Sequence, residues 1–225
     1  MLIANNLSKR YFRKNNHANY FYPVRAASLA LYPGEVAVLT GRSGSGKTTL
    51  LHMLAGLLMP TEGEVLLDDV NLYALPDAAL SRLRAEKISV VPQGRSAVDT
   101  LTVLENILLP ARLRGMNGDA AAARQWMKAL NIANLTDARP AELSGGELRR
   151  MAIARALAQN AAILLADEPT GDLDDENTER VLEVFADAAH ERGTAVLIVS
   201  HDSAALKIAD KRFRMDGGAL TACDA

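Results

Sequence analysis

The sequence predicts an α/β protein with a central parallel sheet, an N-terminal antiparallel β subdomain and an inserted α-helical subdomain. Short apolar runs at 36–40, 161–166 and 196–200 have the length and composition of strands buried on both faces. After the first run, Leu50, Leu51, Leu54, Leu57 and Leu58 recur at helical spacing, and Val181, Leu182, Val184, Phe185 and Ala188 do so before the last. Between that first strand and its helix stands Gly41-Arg42-Ser43-Gly44-Ser45-Gly46-Lys47-Thr48, which fits G-x-x-x-x-G-K-[ST] at all four defined positions.

Taken in order, residues 2–7 read as an edge strand. Residues 12–23 read as a polar hairpin or loop carrying aromatic residues, and 27–31 as a second strand. Tyr32-Pro33-Gly34-Glu35 has the Pro and Gly of a tight turn. A strand at 64–68 follows the first helix, and Asp77 is the expected N-cap of a helix to Arg84. Residues 88–92 form a further strand that ends at Gln93. Little in 94–143 suggests a strand: Thr102 and Glu105 make a capping box for a helix to about Leu109, and Asp119 opens a helix through Trp126 to Leu130. Trp126 and Met127 are read as packing core. The domain reading is a single unit, with core 1–93 and 144–225 and the helical insert at about 94–143. Ser144-Gly145-Gly146-Glu147 opens a helix to about Gln159, a helix over 175–192 precedes the last parallel strand, and Asp216-Gly217-Gly218 marks a terminal hairpin.

The glycines of 41–48 let consecutive backbone amides curl around phosphate oxygens, where a β-carbon would clash. Lys47 is placed to reach the terminal phosphates. Thr48 offers a hydroxyl to Mg²⁺, and the helix beginning there aims its positive end at the anion. Ligands of open α/β sheets bind at the carboxyl ends of parallel strands, which brings Gln93, Asp167, Glu168 and His201 to the same place. There Asp167 is an anchor for Mg²⁺ beside Thr48, Glu168 a group to orient and deprotonate water, and Gln93 and His201 sensors of the terminal phosphate. The capping box of Ser144 and Glu147 accounts for those two residues but not for Gly145 and Gly146. Each glycine costs about 1 kcal/mol in helix propensity, so something must approach that backbone closely.

With 25 basic and 27 acidic residues the net charge is −2, which provides no global attraction for nucleic acid or anionic lipid. The apolar runs fall far short of the roughly 20 residues that span a bilayer, and a signal-peptide core is lacking at the N-terminus. A cytoplasmic chain is expected. The single cysteine, Cys223, precludes an internal disulfide. Lys9, Arg10, Arg13, Lys14 and His17 mix with Tyr11, Tyr20, Phe21 and Tyr22. Three readings stand for this segment: a solvated loop, a stacking surface for single-stranded nucleic acid, and a platform at Tyr11 for a purine ring.

The ordered set of 41–48, Gln93, Leu143-Ser144-Gly145-Gly146-Glu147, 163–168, Leu173-Asp174 and His201 resembles the ATPase domain of ABC transporters over essentially the whole chain. The resemblance implies a P-loop NTPase core that binds ATP and Mg²⁺ and hydrolyses the ATP. It makes Gly41 to Thr49, including Thr49 itself, the Walker A site, Gln93 the Q-loop, Asp167 and Glu168 the Walker B pair, Asp174 the D-loop and His201 the switch histidine. It implies Thr48, Gln93 and Asp167 as the Mg²⁺ set, and Glu168, His201, Gln93 and Lys47 as the catalytic group. Two such domains pair head to tail in that family, so Ser144, Gly145, Gly146 and Glu147 of one copy complete the site of the other. Tyr11 stands where the family often carries an adenine-stacking aromatic, with Phe12 as the competing choice. Residues 101–106 and 169–174, and the lack of a C-terminal regulatory domain, look most similar to the lipoprotein-release, macrolide-export and cell-division subgroup. In that subgroup the ATPase often drives movements of a membrane partner that acts on periplasmic or extracellular components, which implies a transporter or mechanotransmitting complex with an integral-membrane permease engaged at the cytoplasmic face. Glu147 stands where the signature usually has Gln, and 94–99 differ from the usual apolar stretch. A soluble ATPase of the same fold acting on nucleic acid or ribosomes is the alternative, disfavoured by a single motif set without a basic tail. A nucleotide-binding regulator without hydrolysis would lack the base that Glu168 provides.

Overall fold

The computed structural model describes residues 1–14 and 18–223. Its strands are β1 (Leu2–Lys14), β2 (Ala18–Leu31), β3 (Val36–Thr40), β4 (Glu62–Leu67), β5 (Val70–Asn71), β6 (Ile88–Val91), β7 (Ile163–Asp167), β8 (Ala195–Val199), β9 (Lys211–Asp216) and β10 (Ala219–Cys223). The helices are α1 (Lys47–Leu54), α2 (Asp77–Lys87), α3 (Val103–Leu113), α4 (Ala120–Ala129), α5 (Gly145–Leu157) and α6 (Asp175–His190). One sheet runs in the order β5-β4-β1-β2-β10-β9-β3-β8-β7-β6. Strands β9, β3, β8, β7 and β6 are mutually parallel, while β1, β2, β4 and β5 pair antiparallel beside them.

Alternation along β3 explains why its sequence reads as a continuous apolar run. Val36 and Val38 join a core shared with Trp126, Met127, Ile153 and Phe185, whereas Ala37 and Leu39 join a second core with Leu50, Leu51 and Leu54. Both faces are thus covered, as a parallel sheet requires. Helices α3, α4 and α5 pack on one another, and residues 94–143 contain no strand. No helix among the described residues is long and apolar enough to cross a membrane.

Several elements differ from the sequence reading. Strand β1 lies between β4 and β2 and is not an edge; the edge on that side is β5, joined to β4 through Asp68 and Asp69 at φ 47° and 67°, the left-handed pair of a two-residue hairpin turn. Strands β1 and β2 continue through the polar aromatic segment because rings pair across them, Tyr11 with Phe21 and Phe12 with Tyr20. His17 lies outside the described residues. Pro76, not Asp77, occupies the cap position of α2, and Asp77 stands in its first turn, where a carboxylate meets the positive helix end. Helix α1 stops at Leu54, and the chain turns at Gly56, leaving Leu57 exposed. Helix α3 runs past Pro110 to Leu113, held beyond its end by Arg114 Nη1, which donates to the Ala85 carbonyl at 2.9 Å.

The start of α3 carries a buried polar lock. Asn106 has no exposed surface; its Oδ1 accepts from the Val98 amide at 2.8 Å and its Nδ2 donates to the carbonyls of Val98, Leu101 and Thr102. Asn106→Leu is expected to lower the unfolding free energy by at least about 1–3 kcal/mol, the cost of stranding a buried polar group. Urea unfolding measures this, and an unchanged midpoint would contradict it.

Candidate active site

The carboxyl ends of β3, β6, β7 and β8 open on one cavity of about 850 Å³. Its lining includes Gly41, Ser43, Gly44, Gly46, Lys47, Thr48 and Thr49 from the first loop, with Gln93, Asp167, Glu168 and His201 from the other strand ends. The sequence-predicted strand-end residues are therefore brought together. Ser45, in the same loop, is buried, with its Oγ unpartnered among the described residues.

Helix α1 begins at the floor of the cavity. Gly46 is its N-cap at φ 109°, with no side chain closing the helix end, so the first amides are left to whatever occupies the cavity. Lys47 is 8% exposed, and its Nζ donates to the carbonyls of Gly41 at 2.8 Å and Arg42 at 3.1 Å. An ammonium has three donors, so one remains for an anion. Asp167 is buried, with Oδ1 unpartnered among the described residues. Burial pushes its carboxyl above the usual aspartate value; the Thr48 hydroxyl pulls it down and the Glu168 charge raises it further. A buried carboxylate oxygen beside a hydroxyl, both facing a phosphate cradle, suits a hard divalent cation.

Glu168 adopts a left-handed backbone at φ 49°, uncommon for a residue with a side chain. Its amide still donates to the Val199 carbonyl at 2.8 Å, so β7 ends there and turns sharply. The carboxylate Oε2 lies 2.8 Å from His201 Nδ1, a nitrogen that donates in this pairing. Glu168 is nearly buried while His201 is largely exposed. One side of this pair is thus fixed and the other open to the cavity.

Other sequence-predicted residues stand apart from the lining. Tyr11 does not itself line the cavity: its ring stacks on Phe21 with centroids 5.8 Å apart and planes 22° apart, and Phe21 does line it. Phe12 meets Tyr20 instead, on the opposite face of the hairpin. Ser144 caps α5 by accepting from the Glu147 amide, and the Glu147 carboxylate accepts from the Ser144 amide and hydroxyl, each at 2.7 Å. Those bonds from the Ser144 hydroxyl and amide hold the Glu147 carboxyl below its usual value. A β-carbon placed on Gly145 would meet nothing within 4 Å, whereas one on Gly146 would touch Leu173. Asp174 caps α6 through the Asn177 amide at 2.8 Å. Phe21, Pro23, Arg149, Gly171 and Asp172 complete the lining and were not singled out for it from the sequence, because only tertiary contact brings them there.

A family model described as ABC transporter matches residues 24–171, well over half of the chain. The chain belongs to the ABC transporter family. It is an ATP-binding, ATP-hydrolysing cassette of that family, with the α/β fold expected of one. The cassette is 35% identical, over 98% of both chains, to the lipoprotein-releasing system ATP-binding protein LolD of Myxococcus xanthus. Among solved structures it resembles the dimeric bacterial ABC transporter cassette MJ0796 over the full length of both chains, at a TM-score of 0.92 and 31% identity. A post-hydrolysis dimer of MJ0796 bound to ADP and Pi matches at 0.91, with the same identity and coverage.

Proposed function

We propose that two copies of this cassette close head to tail over two MgATP molecules and, from the cytoplasmic face, drive a separate integral-membrane permease. The observation that carries the pairing is the start of α5: Ser144 and Gly145 are exposed, none of 144–147 lines the cavity of their own chain, and Gly145 faces open space. A helix N-terminus with two glycines, whose own capping box engages only the Ser144 and Glu147 amides, suits the terminal phosphate held by another. That the MJ0796 cassette is dimeric supports a pairing of two copies.

In this reading Lys47 and the first amides of α1 hold the phosphates, with Ser43, Gly44, Ser45 and Thr49 shaping the cradle. Tyr11, through its stack on Phe21, supports the adenine ring. Thr48, Asp167 and Gln93 would hold Mg²⁺, which would supply positive charge against the phosphates. Glu168 accepts a proton from water as the water oxygen bonds to the γ-phosphorus, and the bond from that phosphorus to the ADP oxygen breaks. His201 holds the Glu168 carboxylate in place and faces the released phosphate, while Asp174 meets the second copy. Core 1–93 and 144–225 carries this chemistry, and the helical insert, about 94–143, turns toward the permease. A shallow groove with Leu57, Arg84, Ala85 and Val90 in its lining suits an apolar helix from that subunit. Likeness to a lipoprotein-releasing ATP-binding protein supports a membrane partner of that class.

Complementation tests the pairing. Glu168→Gln and Ser144→Arg chains are each expected to be nearly inactive, one lacking the base and the other blocking the partner's site. Mixed in equal amounts they should regain about a quarter of wild-type turnover, since half of random dimers are mixed and each mixed dimer holds one intact site of two. Absence of any recovery, with mixed dimers verified by cross-linking, would sink the composite site.

A further inference from the structure

We infer that Arg149 is a positioning residue for Gln93, fixing the loop after β6 to helix α5. Its guanidinium is 9% exposed and forks onto two successive carbonyls: Nη1 donates to Pro92 O at 2.6 Å and Nη2 to Gln93 O at 2.5 Å. In an extended strand neighbouring residues point to opposite sides. Two adjacent carbonyls converging on one guanidinium therefore define a bent backbone, which ends β6 and sets the direction in which Gln93 leaves it. The planar fork fixes that bend as a single flexible ammonium would not.

The far end of the same loop is also tied to α5. Arg155 Nη1 donates to Ser96 O at 2.7 Å, and its Nη2 bonds Ser96 Oγ. Gly94, with open space around it, lies between the two ties. Arg149 also reaches Asp172 Oδ2 at 3.6 Å, in the loop that follows Glu168. That carboxylate is largely exposed, so the pair adds little energy, but it brings a third segment to the same guanidinium. Any displacement of α5 is thereby passed to Gln93. This inference rests on the proposed role of Gln93 at the nucleotide, and on α5 receiving the second copy's phosphate it gives a route between the two sites.

A double-mutant cycle separates positioning from mere support of the fold. Arg149→Ala is expected to lower kcat for ATP about tenfold, with KM changed by less than about threefold, and in a Gln93→Ala background to cost less than about a further twofold. The same tenfold cost in both backgrounds, a loss confined to KM, or unchanged kcat overturns the inference. Two measurements need no turnover. The backbone of 92–96 should exchange hydrogen at least about ten times faster in Arg149→Ala, and Mg²⁺ with the fluorescent analogue mant-ATP should bind within about threefold of wild type. Unchanged exchange at 92–96 also overturns it. Should Arg149→Ala fail to fold, Arg149→Lys carries the same cycle, because it keeps the buried charge while losing the fork. Wild-type turnover stands as a separate measure: its absence would fault the proposed function, not the Arg149 assignment.

Discussion

Glu168→Gln is expected to lower ATP turnover by roughly 10²–10⁴, the range for removing a positioned general base, while ATP binding stays near wild type. The substitution preserves shape, so the amide oxygen can still accept from His201 Nδ1, which now stands 2.8 Å from the carboxylate. What disappears is the ability to take a proton from water. The phosphate-holding groups belong to other segments, Lys47 and the start of α1, and nothing in their bonds to Gly41 and Arg42 involves Glu168. The unusual backbone at φ 49° belongs to the turn after β7 and has to be met by Gln as it is by Glu. Steady-state phosphate release and equilibrium ATP binding separate the two effects. Turnover near wild type would remove Glu168 from its role, and a parallel loss of binding would show that the change disturbed the loop.

The sequence carried the parallel core because β3, β7 and β8 are buried on both faces and must be apolar throughout, which leaves short runs with sharp ends. It also carried the caps at Thr102, Asp119 and Ser144, since capping is a local bargain between a side chain and amides two or three residues on. The β1–β2 hairpin was not legible to its full length. Its outer half is polar and aromatic, and its pairing depends on rings meeting across strands, a relation invisible to periodicity. Helix α3 ran on through Pro110, where local rules favour a stop and tertiary packing prevailed. The site divides in the same way. Strand-end residues followed from the rule that ligands gather there, but Arg149 acts on a carbonyl 57 residues away, and no local pattern announces such a contact.

Gly46→Val is expected to abolish useful nucleotide binding, lowering affinity at least about 100-fold, whereas Gly44→Ala should be far milder. Both glycines have positive φ, 109° and 76°, so both substitutions meet backbone strain of about 1–3 kcal/mol. Space decides between them. A β-carbon at Gly44 meets nothing within 4 Å, but one at Gly46 would fall on the Pro23 carbonyl and against Met215. The Met215 methyl is the end of a flexible side chain and can give, but the Pro23 carbonyl is backbone and cannot, because Pro23 precedes the fully buried Val24 in β2. The loop must therefore move, and Gly46 is the residue at which α1 starts, its carbonyl accepting from the Leu50 amide at 2.9 Å. Moving it turns the first amides of α1 and Lys47 away from the phosphates. Losing two charge-assisted bonds at about 1.5–3 kcal/mol each accounts for a 100-fold effect or more. Titration with a fluorescent ATP analogue reads the affinity, and thermal unfolding checks that the fold survives. Equal losses in the two variants would mean that glycine serves this loop only through its dihedral freedom; a selective loss at Gly46 would show that the cradle is held in shape by the antiparallel β subdomain pressing on its last glycine.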